Sequence, residues 1–253
     1  MNTIENPEQY INDDDYLSQP KKDGERRMLI CEEQPDFNIK VRGLNKKGTE
    51  VPLPKSVMKS ALDEYTLDGE IIGEILYVFD ILSLERQDLK ETPCINRVKQ
   101  LNELSFDDNI IVVETAYTTE EKQKMFNDLK ANNEEGIVFK KKNSRYTHGR
   151  PSSGGNALKF KFQKTATFIV ANMTKGKRSV GLELIDGDTK RFMGKVSVPV
   201  NHELPQVDEL VEVQYLYCYR DGCIFQPVYL GKRNDSDLTD ATTSQLIYKA
   251  EEK

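Results

Sequence analysis

The stretch Leu158-Lys159-Phe160-Lys161-Phe162-Gln163-Lys164-Thr165 divides the sequence into two textures. It opens with apolar and basic residues in alternation, the period-two mark of a strand. Lys159 and Lys161 fall on one face, Leu158, Phe160 and Phe162 on the other. Upstream, strand and helix periodicities mix. Arg26–Cys31, Phe37–Val41, Glu74–Phe79, Ile110–Glu114 and Gly136–Lys140 read as strands, with a turn at Asn45-Lys46-Lys47-Gly48. Val57–Glu64 and Asn96–Leu104 read as helices, and Thr119–Asn132 is the clearest helix. Thr118 or Thr119 can cap it, Glu120 and Glu121 sit where the helix dipole favours acid, and Met125, Phe126 and Leu129 form one apolar stripe. Downstream, helical periodicity stops. Phe168–Met173, Val180–Ile185, Phe192–Val198, Leu210–Tyr219 and Cys223–Leu230 read as strands punctuated by Lys175-Gly176, Asp186-Gly187, Asn201-His202 and Asp221-Gly222. Five strands in about 65 residues predict a small β-barrel, of which the OB-fold is the common five-stranded kind. The expectation is an α+β chain with a mixed domain over 1–163, a barrel over 164–253, and a polar tail from about residue 236.

Composition bounds what such a chain can do. Its 253 residues are 37% hydrophobic and 31% charged, as in a globular protein with an ordinary core. No apolar run reaches the length of a membrane span. The first twenty residues hold five acids and no Lys or Arg, which predicts neither a signal nor a transit peptide. Cys31, Cys94, Cys218 and Cys223 form no C-x-x-C pair, so a reducing, cytoplasmic setting is expected, and a monomer. The net charge is −6, yet it is segregated. Residues 136–182 contain no Asp or Glu and eleven basic residues, among them Lys140, Arg145, Arg150, Lys159, Lys161, Lys175, Lys177 and Arg178. Such segregation creates a local positive field suited to phosphates.

Four short motifs carry chemistry. Lys21-Lys22-Asp23-Gly24-Glu25-Arg26 has the form K-x-D-G-x-R. Alone it reads as an Asp-Gly turn; functionally it offers Lys21 as a nucleophile, active only when deprotonated. Leu67-Asp68-Gly69-Glu70-Ile71, followed by Tyr77-Val78-Phe79-Asp80-Ile81-Leu82, reads alone as a turn between strands. It also offers Glu70 to a metal or ribose and the Phe79 ring to a base. Glu135-Gly136-Ile137-Val138-Phe139-Lys140 is a buried strand with charged ends; Glu135 suits Mg²⁺ and Lys140 a phosphate. In Leu158-Lys159-Phe160-Lys161-Phe162, two lysines share one strand face and call for an anion between them.

In this order, KKDGER, LDGEI, FDIL, EGIVFK and LKFK resemble nucleotidyltransferase motifs I, III, IIIa, IV and V of the ATP-dependent DNA ligases, and the resemblance runs from about Gln19 to Asp235. It implies an adenylation domain of antiparallel sheets with flanking helices, followed by an OB-fold domain. Lys21 would take the adenylate. Arg26 would contact the ribose or the nick phosphate, and Glu70 and Glu135 would serve the metal and the sugar. Phe79 would stack on adenine, while Lys140, Lys159 and Lys161 would hold phosphates. Arg233-Asn234-Asp235 resembles the R-x-D of motif VI, which orients the pyrophosphate, although Ser236 stands where a lysine usually follows. Gln19 replaces the usual acid two residues before the nucleophile. Lys46 replaces the arginine of an S-R-x-G turn.

What the resemblance implies is an enzyme using ATP and Mg²⁺, with Mn²⁺ as a substitute, to seal 3′-hydroxyl/5′-phosphate nicks. The route is a lysyl-AMP and then a 5′-adenylated polynucleotide. ATP is expected rather than NAD, because few residues precede Lys21 and no zinc module is visible. Nicked duplex DNA is the expected partner. A ligase acting on RNA or mixed duplexes, and an mRNA-capping guanylyltransferase, stay open as alternatives. Lys46, Lys47, Arg145, Arg150, Lys175, Lys177 and Arg178 are the expected grips on the nick.

Overall fold

A computed structural model describes residues 1–61, 63–148, 155–220 and 222–249, and every element count refers to these. In chain order the elements up to Phe160 are β1 (Asn2–Thr3), α1 (Glu8–Ile11), β2 (Tyr16–Lys21), β3 (Glu25–Glu33), β4 (Ile39–Leu44), β5 (Glu50–Val51), α2 (Lys55–Ser60), β6 (Tyr65–Ile72), β7 (Ile75–Leu84), β8 (Gln87–Asp88), α3 (Cys94–Glu103), β9 (Ile110–Val112), α4 (Thr119–Ala131), β10 (Gly136–Lys141) and β11 (Ala157–Lys161). There follow β12 (Lys164–Met173), β13 (Ser179–Asp186), β14 (Thr189–Ser197), β15 (Leu210–Tyr215) and β16 (Val228–Lys232).

The chain divides into two compact units. One comprises Met1–Ala131 with Glu135–Phe160, the other Asn132–Glu134 with Lys161–Lys253. The first holds two sheets. A four-stranded sheet has the order β1-β11-β10-β2, and a seven-stranded one runs β5-β4-β3-β6-β7-β8 with β9 beside β7. Most joins are antiparallel, as expected; β1–β11 and β7–β9 are parallel. The larger sheet buries Leu29, Leu67, Leu76, Val78 and Ile81 against Val57 of α2 and Leu101 of α3. Helix α4 begins as its sequence predicts. The Tyr117 and Thr118 N–H groups donate to Glu121 Oε2 at 2.7 and 3.0 Å, and the Glu121 N–H donates to Thr118 Oγ1 at 3.2 Å.

Three expectations need correction. Asp68-Gly69 is not a turn: both residues lie inside β6, where the pairing with β7 shifts register. Glycine is required there by close approach, since a Cβ at Gly69 would meet the Tyr77 carbonyl oxygen at 2.6 Å. The helix expected over Val57–Glu64 spans Lys55–Ser60. The strand expected over Cys223–Leu230 forms later, at Val228–Lys232, with an isolated bridge between Cys218 and Ile224.

The second unit is one five-stranded antiparallel sheet, order β14-β13-β12-β15-β16, curled into a half-barrel. Register shifts between Val170 and Asn172, between Leu182 and Glu183, and between Glu212 and Val213 bend it. The Ile224 N–H donates to the Met193 carbonyl at 3.0 Å, joining the segment before β16 to β14. Its core is aliphatic and aromatic: Phe168, Ile169, Val170, Leu182, Leu184, Val213 and Tyr215 are fully buried.

Candidate functional site

The site begins with a register. In the pairing of β2 with β10, Lys21 lies opposite Gly136, Gln19 opposite Val138 and Leu17 opposite Lys140. Alternation therefore sets Gln19, Lys21 and Lys140 on one face of the sheet. Glu135 immediately precedes β10, and its Oε2 lies 2.5 Å from Lys21 Nζ; the carboxylate side chain is 2% exposed. A lysine and a carboxylate 114 residues apart in sequence are thus joined by strand pairing.

The neighbouring sheet supplies the remaining groups. Strand β3 carries Arg26 opposite Glu70 of β6. Arg26 forms a two-point ion pair with Asp68, Nε to Oδ1 at 2.9 Å and Nη2 to Oδ2 at 2.5 Å. The Tyr146 hydroxyl accepts from Arg26 Nη2 at 3.0 Å and donates to Asp68 Oδ2 at 3.0 Å. The half-buried Phe79 ring lies under Lys140, whose Nζ is 4.6 Å from the ring centroid and donates to the Phe79 carbonyl at 2.8 Å. Gln19 Nε2 donates to the same carbonyl at 3.3 Å and to Thr115 Oγ1 at 3.0 Å. A cleft of about 130 Å³ is lined by Arg26, Asp68, Glu70, Phe79, Lys140 and Tyr146, among others. Beneath it Arg97 of α3 and Asp80 of β7 form a buried two-point ion pair at 2.8 and 2.9 Å.

Glu70 stands out electrostatically. Burial pushes its carboxyl up to about 7, against the opposing pull of Lys21 and Arg26, while Asp68 and Glu135 push it further the same way. Its Oε2 is buried without a hydrogen-bond partner. An orphaned carboxylate oxygen among acidic neighbours is a group waiting for a cation or a donor. Among the described residues no cluster of three or more His, Cys, Asp and Glu could hold a metal alone. Mg²⁺, however, is commonly held by one or two carboxylates with water and substrate phosphates. Glu70 and Glu135 fit that requirement.

The other expected residues fall as follows. Lys159 lies in β11 opposite Thr3, in the same sheet as Lys21. Lys161 groups with the second unit and donates to Gln226 Oε1 at 2.7 Å. In that unit Arg233 pairs with Asp235 at 2.8 and 3.2 Å, and lies 3.6 Å from Glu212. Lys46 and Lys47 are exposed in the turn after β4, and Lys175 and Lys177 are exposed between β12 and β13. Arg178 donates to the carbonyls of Val198 at 3.2 Å and Pro199 at 2.9 Å, and also to that of His202. Its donors therefore brace a loop. Arg145 pairs with Glu91 at 2.6 Å on an open surface. Arg150 lies outside the described residues. Asp68, Tyr146 and the Asp80–Arg97 pair were not singled out from sequence. Asp68 and Asp80 sit inside quoted motifs, whereas Tyr146 carries no local signal at all.

The chain is similar to several known proteins. Residues 73–161 match the family model of the ATP dependent DNA ligase domain, a span that includes Phe79, Glu135, Lys140 and Lys159, with Lys21 ahead of it. The SPbeta prophage-derived DNA ligase-like protein LigB of Bacillus subtilis (strain 168) is 27% identical, over 86% of this chain and 89% of that one. Among solved structures, the fold is similar to a Lig E DNA ligase described under "DNA binding with a minimal scaffold". That match has a TM-score of 0.65 at 15% identity and covers 91% of this chain and 97% of the other. It is also similar to mycobacterial DNA ligase D complexed with ATP and MES, with a TM-score of 0.52 at 18% identity, over 90% and 92% of the two chains. The fold and the family match define a nucleotidyl-transferring ligase enzyme. Over residues 73–161 the chain matches the ATP dependent DNA ligase domain, and it is similar to a DNA ligase-like protein along most of its length. No helix among the described residues is long and apolar enough to cross a membrane.

Proposed function

We propose that this chain seals nicks between a 3′-hydroxyl and a 5′-phosphate in duplex DNA, carrying AMP first on Lys21 and then on the 5′-phosphate. The observation behind this reading is the Lys21–Glu135 contact at 2.5 Å, beside the unpartnered Glu70 Oε2. In the first step Lys21 Nζ attacks the α-phosphorus of ATP. An N–P bond forms, the bond to pyrophosphate breaks, and Nζ gives up a proton, for which Glu135 is the nearest carboxylate. In the second, a 5′-phosphate oxygen displaces Lys21 and takes the AMP. In the third, the 3′-hydroxyl attacks that phosphate, loses its proton and releases AMP.

Each transfer depends chiefly on positioning and on neutralised charge. Phe79 stacks on the base, and Gln19 borders it. Arg26 faces the sugar or a phosphate, while Lys140, Lys159 and Lys161 answer phosphate charge. Mg²⁺, held by Glu70 and Glu135, supplies further neutralisation when bound. The first compact unit acts as the adenylation domain and the second as the OB domain. In the second, Arg233 and Asp235 are the pair proposed to serve the pyrophosphate. Exposed Lys46, Lys47, Arg145, Lys175 and Lys177, with Arg150 and the bracing Arg178, grip the duplex. A Lig E ligase described as binding DNA with a minimal scaffold has a similar fold, which supports duplex DNA as the substrate.

The test is covalent labelling with α-³²P-labelled ATP and Mg²⁺ on a denaturing gel, followed by a panel of DNA and RNA nicks. The purified chain becomes labelled, Lys21→Ala loses the label by at least about 1,000-fold, and all-DNA nicks are sealed fastest. Labelling from GTP but not ATP, or no covalent label, would refute the proposal. Faster sealing of RNA-containing nicks would move the substrate to RNA.

A further inference from the structure

Tyr146 has a geometry that its place in the sequence does not announce. It lies 78 residues from Asp68 and 120 from Arg26, yet its hydroxyl touches both at 3.0 Å. Its backbone is fixed on the scaffold. The Tyr146 N–H donates to the Lys90 carbonyl at 2.8 Å, and the Ser144 carbonyl accepts the Cys94 N–H at 2.8 Å. Its ring is held between the Arg97 guanidinium, 5.8 Å from the centroid, and the edge of His148, 5.0 Å between centroids. Asp68, the anchor of the group, is 1% exposed.

The hydrogen-bond inventory of Arg26 shows what this contact does. A guanidinium has one N–H on Nε and two on each Nη. Nε–H goes to Asp68 Oδ1, and the two on Nη2 go to Asp68 Oδ2 and to Tyr146. The Nη1 pair has no partner among the described residues, and Arg26 lines the cleft shared with Phe79 and the orphaned Glu70. Asp68 alone would hold the fork by one edge and leave a Nη2 hydrogen to compete for the ligand. With Tyr146 the plane of the guanidinium is fixed from two sides, and Nη1 is the one nitrogen left to face the nucleotide. Burial beside Asp68 keeps the phenol protonated, so the hydroxyl can accept from Arg26 and donate to Asp68 at once.

We infer that Tyr146 is a positioning residue, which orients Arg26 so that Nη1 alone addresses the bound nucleotide. The inference rests on the reading of Lys21 as the adenylated residue, and two measurements separate the two ideas. Tyr146→Phe keeps the ring and removes only the hydroxyl. In the labelling assay it raises the ATP concentration for half-maximal Lys21 adenylation about ten-fold, the loss of about one charged hydrogen bond. The saturated rate changes less than about two-fold, because Lys21 and Glu135 are untouched. In an Arg26→Lys background, where no fork remains to be oriented, the same substitution has no effect. A merely structural role for Tyr146 would give the same loss in both backgrounds, and that result would overturn the inference. The second measurement needs no reaction. In arginine-¹⁵N-labelled full-length protein, restricted rotation about the Arg26 Nε–Cζ bond gives separate Nη1 and Nη2 signals, which merge in Tyr146→Phe. Signals equally resolved in both proteins would overturn the positioning role even if Lys21 is labelled. Merged signals in the variant would support it even if Lys21 takes no AMP.

Discussion

The two compact units bury different chemistry. In the first, Gln19, Asp68, Asp80, Arg97, Lys122, Glu135 and Lys140 are all buried among the apolar residues; in the second, Thr167 is the buried polar residue found among the described ones. Both share a strand-based construction, so the secondary structure does not explain the difference. Buried ions cost desolvation energy that only partners can offset. The first unit carries that cost to hold a set of charges in fixed places; the second is packed for cohesion. The candidate site built on Lys21, Glu70 and Glu135 therefore lies where the core is least favourable by composition.

The comparison can be broken at its most buried pair. Arg97→Leu leaves Asp80 charged without its counter-ion, and should destabilise the protein by about 3–5 kcal/mol in urea unfolding. Replacing both partners, with Arg97→Met and Asp80→Leu, should restore most of that loss. If the single and double variants are equally unstable, the pair is not acting as a charge pair. Next, Leu182→Ala in the half-barrel should cost about 2–5 kcal/mol by cavity formation, read as faster amide exchange in β12 and β13. Exchange that quickens only in the first unit would contradict the packing described for Leu182.

The smallest effect concerns pH. The Glu70 carboxyl is raised in the folded chain to about 7 from an ordinary value near 4.5. Over that interval the folded state binds the proton more strongly than the unfolded one, so this group's contribution favours folding at the acid end. It is lost as pH rises through about 7. The melting temperature of the wild type should thus fall from pH 5 to pH 7.5 by a few degrees more than that of Glu70→Gln. Parallel curves would show that Glu70 is not desolvated. Adding Mg²⁺ and ATP should shrink the difference, because a cation favours the ionised carboxylate.

Much of this was legible in the sequence, for local reasons. The cap of α4 is written in Thr118 and Glu121, and β12, β13 and β14 of the second unit are separated by the glycine turns at Gly176 and Gly187. The motifs located Lys21, Glu70, Phe79, Glu135 and Lys140 because each sits in a short, ordered phrase. Two kinds of feature were hidden. Asp68-Gly69 carries the composition of a turn, and only the approach of the Tyr77 carbonyl, visible in three dimensions, explains a glycine in mid-strand. Tyr146 acts across 120 residues to Arg26 and Arg97 across 17 to Asp80, through contacts that leave no periodic trace.

The pairing of β2 with β10 imposes a parity rule on any redesign of this chain. Side chains alternate faces, so a slip of one residue between Lys21 and Gly136 would turn Gln19 and Lys21 toward α4 and set Ser18 and Pro20 on the face of Lys140. A slip of two would keep the face but carry the lysine about 7 Å along the strand. Single-residue insertions within Tyr16–Lys21 should therefore be silent for expression far more often than for labelling, and length changes here sort by whether they are odd or even.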